Sequence, residues 1–290
     1  MISELFLSGG NMKVGTACAK CLWDRQCERT DDQEYLAEVR SILDGRGEDD
    51  SAPYLVFLFN EAYERRYGKP MSYRDVKKTF NDLVLAMEDE IRENIVSAPD
   101  PLAAALACAR VGNYIDFAAM SRVDSDTLLS LLRNAKLREE EREVLASFRS
   151  ECHKAEHFLL VADNCGEIVL DRLFLEQLFK ECPDLKATVL VRGKEILNDA
   201  TPEDAAYTCM DELAEIVTNG SSVAGTVYEL LPEEAKRAID RADVILSKGQ
   251  GNYETLSGQG RHVFYSLLCK CDVFTQRFNV PMLTGIFIEE

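Results

Sequence analysis

The sequence predicts an α/β protein: a helical N-terminal part followed by a domain with a mostly parallel sheet covered by helices on both faces. Three observations carry that expectation. Up to about Ser150, segments such as MSYRDVKKTFNDLVLAMEDEIREN and DTLLSLLRNAKLREEEREVLASF repeat apolar residues with a helical period, and no segment reads as a strong strand. Beyond His157 the texture changes to short apolar runs: FLLVA, ATVLVRG, AEIVT, ADVILSKG and HVFYSLLCKC. Between these runs stand helical patterns such as LDRLFLEQLFK, PEDAAYTCM and LPEEAKRAIDR. Strands alternating with helices argue for a parallel sheet covered on both faces. Residues 1–150 are therefore assigned to an all-helical N-terminal region and 151–290 to the α/β domain. The charged stretch from Arg138 to Glu143, continuing to about Lys154, reads as the connection.

Composition narrows the function. With 51 Asp and Glu against 33 Lys and Arg, the formal net charge is −18. Such a surface repels polyanions, so nucleic acid and anionic membranes are poor partners. The N-terminus MISELFLSGG carries Glu4, has no basic region and does not resemble a secretory signal. The small-apolar run LAAALACARV is interrupted by Arg110 and falls short of the roughly 20 residues that span a bilayer. The expectation is a cytoplasmic protein. Ten cysteines are scattered through the chain, several in apolar elements, and read as reduced thiols.

In a parallel sheet, ligands bind where the loops leave the carboxyl ends of the strands. Reading on from each strand gives DNCGE after FLLVA, KEILNDATPED after ATVLVRG, NGSSVAGT after AEIVT and KGQGNYE after ADVILS, while Lys270 stands in the last run. Asp163 and Asn164 suit a turn and helix cap, or a ligand pair for a cation. Asp199 carries the same ambiguity, because Thr201 and Pro202 with two following acids already start a helix. If the two strands are neighbours, Asp163, Asn164 and Asp199 meet and present hard oxygen ligands suited to Mg²⁺ or Mn²⁺. Glu167 either supports those ligands or complements the helix dipole.

Lys248, Gly249, Gly251 and Asn252 precede a helix, where glycine amides approach an anion or simply make a tight turn. Asn219 and Ser221 in TNGSS bind phosphate or merely turn. Lys270, in an apolar run, lies at an exposed strand end or meets an anion. Arg192 reads as a surface or structural residue. Asn113 and Asp116, three apart, share a helical face from which they reach the cleft, or they end the helix.

DNCGE (Asp163 to Glu167), RGKEILNDAT (Arg192 to Thr201), SKGQGNYE (Ser247 to Glu254) and LLCKC resemble, in order, the motif series of the damage-control phosphatase family, long catalogued as a domain of unknown function and also called the ARMT-like metal-binding domain family. AxxGNYIDF (Ala109 to Phe117) and CAKC (Cys18 to Cys21) resemble features of its stand-alone microbial branch. The resemblance implies a helical cap region on a Rossmann-like, three-layer α/β/α catalytic domain, with a divalent metal (Mn²⁺, Mg²⁺, Co²⁺ or Ni²⁺) at the positions matching Asp163, Asn164 and Asp199. It implies metal-dependent hydrolysis of small phosphate monoesters, namely sugar phosphates or damaged phosphometabolites.

On that reading Asp163, Asp199 and Lys270 are catalytic. Glu167, Asn219, Ser221, Lys248, Gly249, Gly251, Asn252, Asn113 and Asp116 serve substrate binding. The nucleophile is a metal-bound water or a carboxylate. The alternatives are a non-catalytic metabolite-binding module or a carboxyl methyltransferase-like protein; the second lacks a G-x-G-x-x-G-like cofactor loop.

CAKC with Cys27 supplies at most three zinc ligands, so a closed site would have to recruit a fourth from elsewhere. Free thiols packing a helix corner, or a redox pair, are the other readings.

Overall fold

The run after His157 is apolar at every position, the pattern of a strand covered on both sides, and it forms the buried strand β1 (His157–Val161). The computed structural model describes residues 12–68, 72–114 and 125–290. The remaining strands are β2 (Lys186–Val191), β3 (Glu215–Thr218), β4 (Val244–Lys248), β5 (Phe264–Leu268) and β6 (Gly285–Glu289). They form one sheet in the order β3-β2-β1-β4-β5-β6. All neighbours are parallel except β5 and β6, which run antiparallel. β1 lies between β2 and β4, so the strand order reverses beside it and a crevice opens at its carboxyl end. The sequence reading stopped at the fifth strand; β6 is a short edge strand buried only at its centre, too brief a pattern to stand out.

Alternate strand residues enter two cores, as the two-residue strand period requires. Phe158, Leu160, Val189, Leu246 and Phe264 face one side, whereas Leu159, Val161, Leu190, Ile245 and Tyr265 face the other. The second face is covered by α11 (Glu233–Arg241), α12 (Gln250–Leu256) and α13 (Asp272–Phe278), through Ala235, Ile239, Tyr253 and Phe274. The first is covered by α9 (Glu167–Glu181) together with helices from the N-terminal half. This is the three-layer α/β/α sandwich.

The helical half divides its allegiance. α1 (Thr16–Arg29), α2 (Gln33–Asp44) and α3 (Ala52–Tyr67) enclose a core of their own around Tyr35, Val39, Leu55 and Phe59. Asp32 caps α2 by accepting from the amides of Glu34 and Tyr35. The periodic stretch after Met71 becomes two helices, α4 (Arg74–Leu85) and α5 (Glu88–Val96), broken at Ala86 and Met87. α6 (Pro101–Gly112), α7 (Ser125–Arg133) and α8 (Arg142–Cys152) follow, and α4 to α8 share one core with the sheet. Phe148 of α8 sits among Phe158, Phe174, Phe264 and Phe287, with ring centroids 5.1 to 6.1 Å away.

Two contacts fix the helical layer near the crevice. α6 lies against α9 at Gly112, where a Cβ would come 2.8 Å from Leu170 Cδ1 and 3.1 Å from Glu167 Cα. In the charged connection, Glu141 is 1% exposed, pairs with Arg110 at 2.7 Å and accepts from the Phe287 amide at 2.8 Å. The charged connection therefore carries a buried ion pair tying α6 to β6. Among the described residues, no helix is long and apolar enough to cross a membrane.

Candidate metal and phosphate site

Backbone hydrogen bonds bring two strand ends together. The Ala200 amide donates to Asp163 O at 2.7 Å, the Cys165 amide donates to Asn198 O at 2.8 Å, and Asn164 bridges antiparallel to Asp199. The segments after the adjacent strands β1 and β2 are thus locked side by side, with Asp163, Asn164 and Asp199 at one point. Gly166 turns the chain into α9 with φ +71°, a conformation that favours glycine. Its amide donates to Asn81 Oδ1 on α4. Behind it, Lys77 of α4 pairs with Asp204 at 2.6 Å beneath α10 (Pro202–Tyr207).

The carboxylates sit in a buried polar network. Asp163 Oδ2 accepts from Asn113 Nδ2 at 2.7 Å and from Asn164 Nδ2 at 2.8 Å. The same two amides donate to Glu167 Oε2 at 3.0 and 2.8 Å. On the other side, Arg192 Nε donates to Asp199 Oδ2 at 2.7 Å, and Arg192 Nη1 donates to Asn252 Oδ1 at 3.0 Å and Gly225 O at 3.1 Å. Arg192 Nη2 is buried without a hydrogen-bond partner among the described residues and lies 3.6 Å from Asp163 Oδ1. Burial, with the neighbouring Asp199 and Glu167 carboxylates, pushes the Asp163 carboxyl well above its ordinary range, and Lys270 and Arg192 only partly offset this.

Asp163, Asn164 and Asp199 floor a cavity of about 190 Å³ roofed by α1 and α3, with Cys18, Leu22, Arg25, Pro53 and Val56 on its cap side. Of the residues expected from the sequence, Asp163, Asn164, Asp199, Gly251 and Lys270 line it. A larger cavity of about 590 Å³ at Ala103, Ala104, Leu145 and Arg149 has a mainly alanine and leucine lining and no such cluster of carboxylates.

Several expected substrate contacts lie behind the cavity wall. Lys248 is fully buried, its Nζ donating to Glu167 Oε1 at 2.7 Å, Asp171 Oδ1 at 2.5 Å and Ala109 O at 3.0 Å. Its charge is spent on those carboxylates, so its assignment to phosphate binding is corrected to a structural cation. Asp171 and Glu167 hold the Lys248 ammonium above its ordinary range despite burial, and burial raises the Asp171 carboxyl to about 7. The Gly249 amide donates to Ser266 O at 3.1 Å within the sheet and does not face an anion.

Asn252, fully buried, donates to Ala162 O and Lys248 O, fastening the ends of β1 and β4. The Asn219 amide is fully used by backbone groups of its own loop and of the turn after β2: its Oδ1 accepts from the Gly193 and Ser221 amides, and its Nδ2 donates to Val223 O and Gly225 O. Ser221 Oγ accepts from the Val223 amide in the same turn. Glu167 and Asn113 are fully buried and orient Asp163 and Asn164 without lining the cavity. Asp116 lies outside the described residues.

Arg192 is the site residue the sequence reading undervalued. Its signal was its place: directly after the apolar strand ATVLV, seven residues before Asp199. The sequence also left unread that Cys21 and Arg25 of α1 face the same cavity as Glu254 and Cys271 of the α/β domain. Burial, then the nearby Glu254, Cys21 and Cys271, push the Cys18 thiol up to about 12. Burial raises the Glu254 carboxyl to about 8.

The comparisons agree with this architecture. The damage-control phosphatase ARMT1-like domain matches residues 14–284. The chain is similar to a damage-control phosphatase of Archaeoglobus fulgidus, at 29% identity over 93% of this chain and 96% of the relative. It is similar to a damage-control phosphatase of Pyrococcus horikoshii at 28% identity, over 93% and 96%. An uncharacterized protein of Methanocaldococcus jannaschii is 29% identical over 97% of each chain. The crystal structure of a DUF89 family protein from Pyrococcus horikoshii superposes with a TM-score of 0.81 at 24% identity, covering 96% of this chain and 99% of that one, and supports the fold. From a match across nearly its whole length, the chain belongs to the damage-control phosphatase ARMT1-like domain family.

Proposed function

We propose that the protein is a metal-dependent phosphatase that hydrolyses small phosphate monoesters, such as sugar phosphates or damaged phosphometabolites. The observation that carries this reading is the convergence of Asp163, Asn164 and Asp199 on one cavity floor beside Lys270.

The residues fit a divalent cation. Asp163 Oδ2 and Asn164 Nδ2 are committed to the surrounding network, which leaves Asp163 Oδ1 and Asn164 Oδ1, with Asp199, as hard oxygen donors. The cost of holding Asp163 charged among carboxylates is the cost a cation relieves. Mn²⁺, Mg²⁺, Co²⁺ or Ni²⁺ bound there would supply a Lewis acid for the phosphoryl group and for a nucleophilic water.

The remaining work falls to the chain. Arg192 fixes the rotamer of Asp199, and Asn113 fixes Asp163, so the donor atoms are held before substrate arrives. Lys270 at the cavity wall neutralises phosphate charge. A space of about 190 Å³ under the α1–α3 cap admits a small leaving group. Ten cysteines, all free thiols, support a cytoplasmic setting.

Phosphate release from an aryl phosphate and a panel of small sugar phosphates, after chelation and then with each metal added back, tests the reading. Metal-stimulated release is expected. A panel with no metal-stimulated release would favour a metabolite-binding module on the same cleft.

A further inference from the structure

The CAKC motif is not absorbed by the phosphatase reading, and the fold gives it partners. Cys18 and Cys21, three apart on α1, share one helical face, and that face is turned to the cavity. Cys27, nine residues beyond Cys18, does not line the cavity, although both pack against the core of α1–α3. From about 250 residues further along the chain, Cys271 enters the same cavity just beyond the end of β5, and Glu254 of α12 lies beside it. Cys18 is near enough to Cys21, Cys271 and Glu254 for each to perturb its thiol. Three sulfurs and one carboxylate are the donor number and donor type of a tetrahedral site for a borderline ion.

We propose that Cys18, Cys21, Cys271 and Glu254 form a second metal site, for Zn²⁺ or Co²⁺, on the cap side of the cavity. Its donors are mostly sulfur where those of Asp163, Asn164 and Asp199 are all oxygen, so an ion at this site alone has thiolate ligands. An ion there would staple α1 to the ends of β5 and α12 and close the cap over the cavity. Gathering the sulfurs onto one ion takes rotation between side-chain rotamers, which the half-buried Cys18 and Cys271 and the exposed Cys21 allow. Another group, Glu151, His262 and Glu289, already has its ligand atoms within 4.8 Å of one another at the far end of the sheet. It is exposed or half-buried, and His262 is accounted for by its contact with Glu151 at 3.2 Å.

The test is a Co²⁺ titration of the metal-free full chain, read by thiolate-to-cobalt charge-transfer absorption in the near ultraviolet. The expected result is a band that is lost in Cys21→Ser and in Cys271→Ser, and that persists in Asp163→Asn, where it saturates at one ion per chain. Circular dichroism confirms that each variant is folded. No thiolate band in the wild type overturns the proposal, as does a band that survives in the Cys21→Ser/Cys271→Ser double variant. Loss of the band in Asp163→Asn also overturns it, by showing that the sulfurs do not form a site of their own. The outcome is independent of phosphatase activity, which Asp163→Asn tests separately.

Discussion

Gly249 and Asp163 fit only because residue 249 has no side chain: a Cβ there would lie 2.0 Å from Asp163 Oδ2. Gly249 also holds φ +77° and ψ 166°, a region essentially reserved for glycine. The glycine of SKGQGNYE therefore makes room for the carboxylate at the end of β1. Gly249→Ala is expected to lower stability by about 1–3 kcal/mol from backbone strain alone. It should also weaken Mn²⁺ binding by displacing Asp163. Denaturant unfolding and metal titration on the same variant check both effects.

Asp163→Asn and Asp199→Asn remove the charge of proposed ligands while keeping their shape. Each is expected to reduce metal-dependent phosphate release by roughly 10³-fold or more, since the metal's electrostatic stabilisation is lost. The fold should remain, because Asn at 163 still accepts from Asn113. Near-wild-type turnover in either variant would remove that residue from the ligand set.

The two lysines should separate cleanly. Lys248→Met leaves Glu167 and Asp171 buried without their cation, which costs about 3–5 kcal/mol when one partner of a buried pair is removed. Lys270→Ala is expected to cost less stability than Lys248→Met and to lower kcat/KM for a phosphate monoester by about 10²-fold. Unfolding and steady-state kinetics on both variants provide the comparison; equal destabilisation by the two would contradict it.

That contrast shows what the sequence could and could not say. The convergence of Asp163, Asn164 and Asp199 was legible because they stand in the loops that leave two apolar strands, and adjacency of the two strands suffices to join them. The two lysines also stand at strand ends, but their roles depend on which way each points. Lys248 shares strand parity with Leu246, which belongs to the core under α9, so its ammonium goes to Glu167 and Asp171. Parity along β4 was available in the sequence, but the layer beneath each face was not. The joining of Cys18 and Cys21 to Cys271 depends on how the cap sits over the sheet, which no local pattern encodes. The split of the helical half between two cores was hidden for the same reason.

Glu254 gives a pH signature. Burial raises its carboxyl to about 8, from an ordinary value of 4.5. The folded protein therefore holds a proton that the unfolded chain releases, so stability is fully present below about 4.5 and is lost as pH rises toward 8. The slope from one such group is at most about 1.4 kcal/mol per pH unit, and partial exposure through the cavity mouth reduces it. Glu254→Gln, with chelator present, is expected to flatten the decline in Tm between those limits. An unchanged slope would show that Glu254 does not carry it.

The central claim is that Asp163, Asn164 and Asp199 hold a divalent cation. Direct titration of the metal-free chain with Mn²⁺, followed by electron paramagnetic resonance of the free ion, measures this most directly. The account predicts one tightly bound Mn²⁺ per wild-type chain, with binding lost in Asp163→Asn and in Asp199→Asn. Unchanged Mn²⁺ affinity in both folded variants would contradict it.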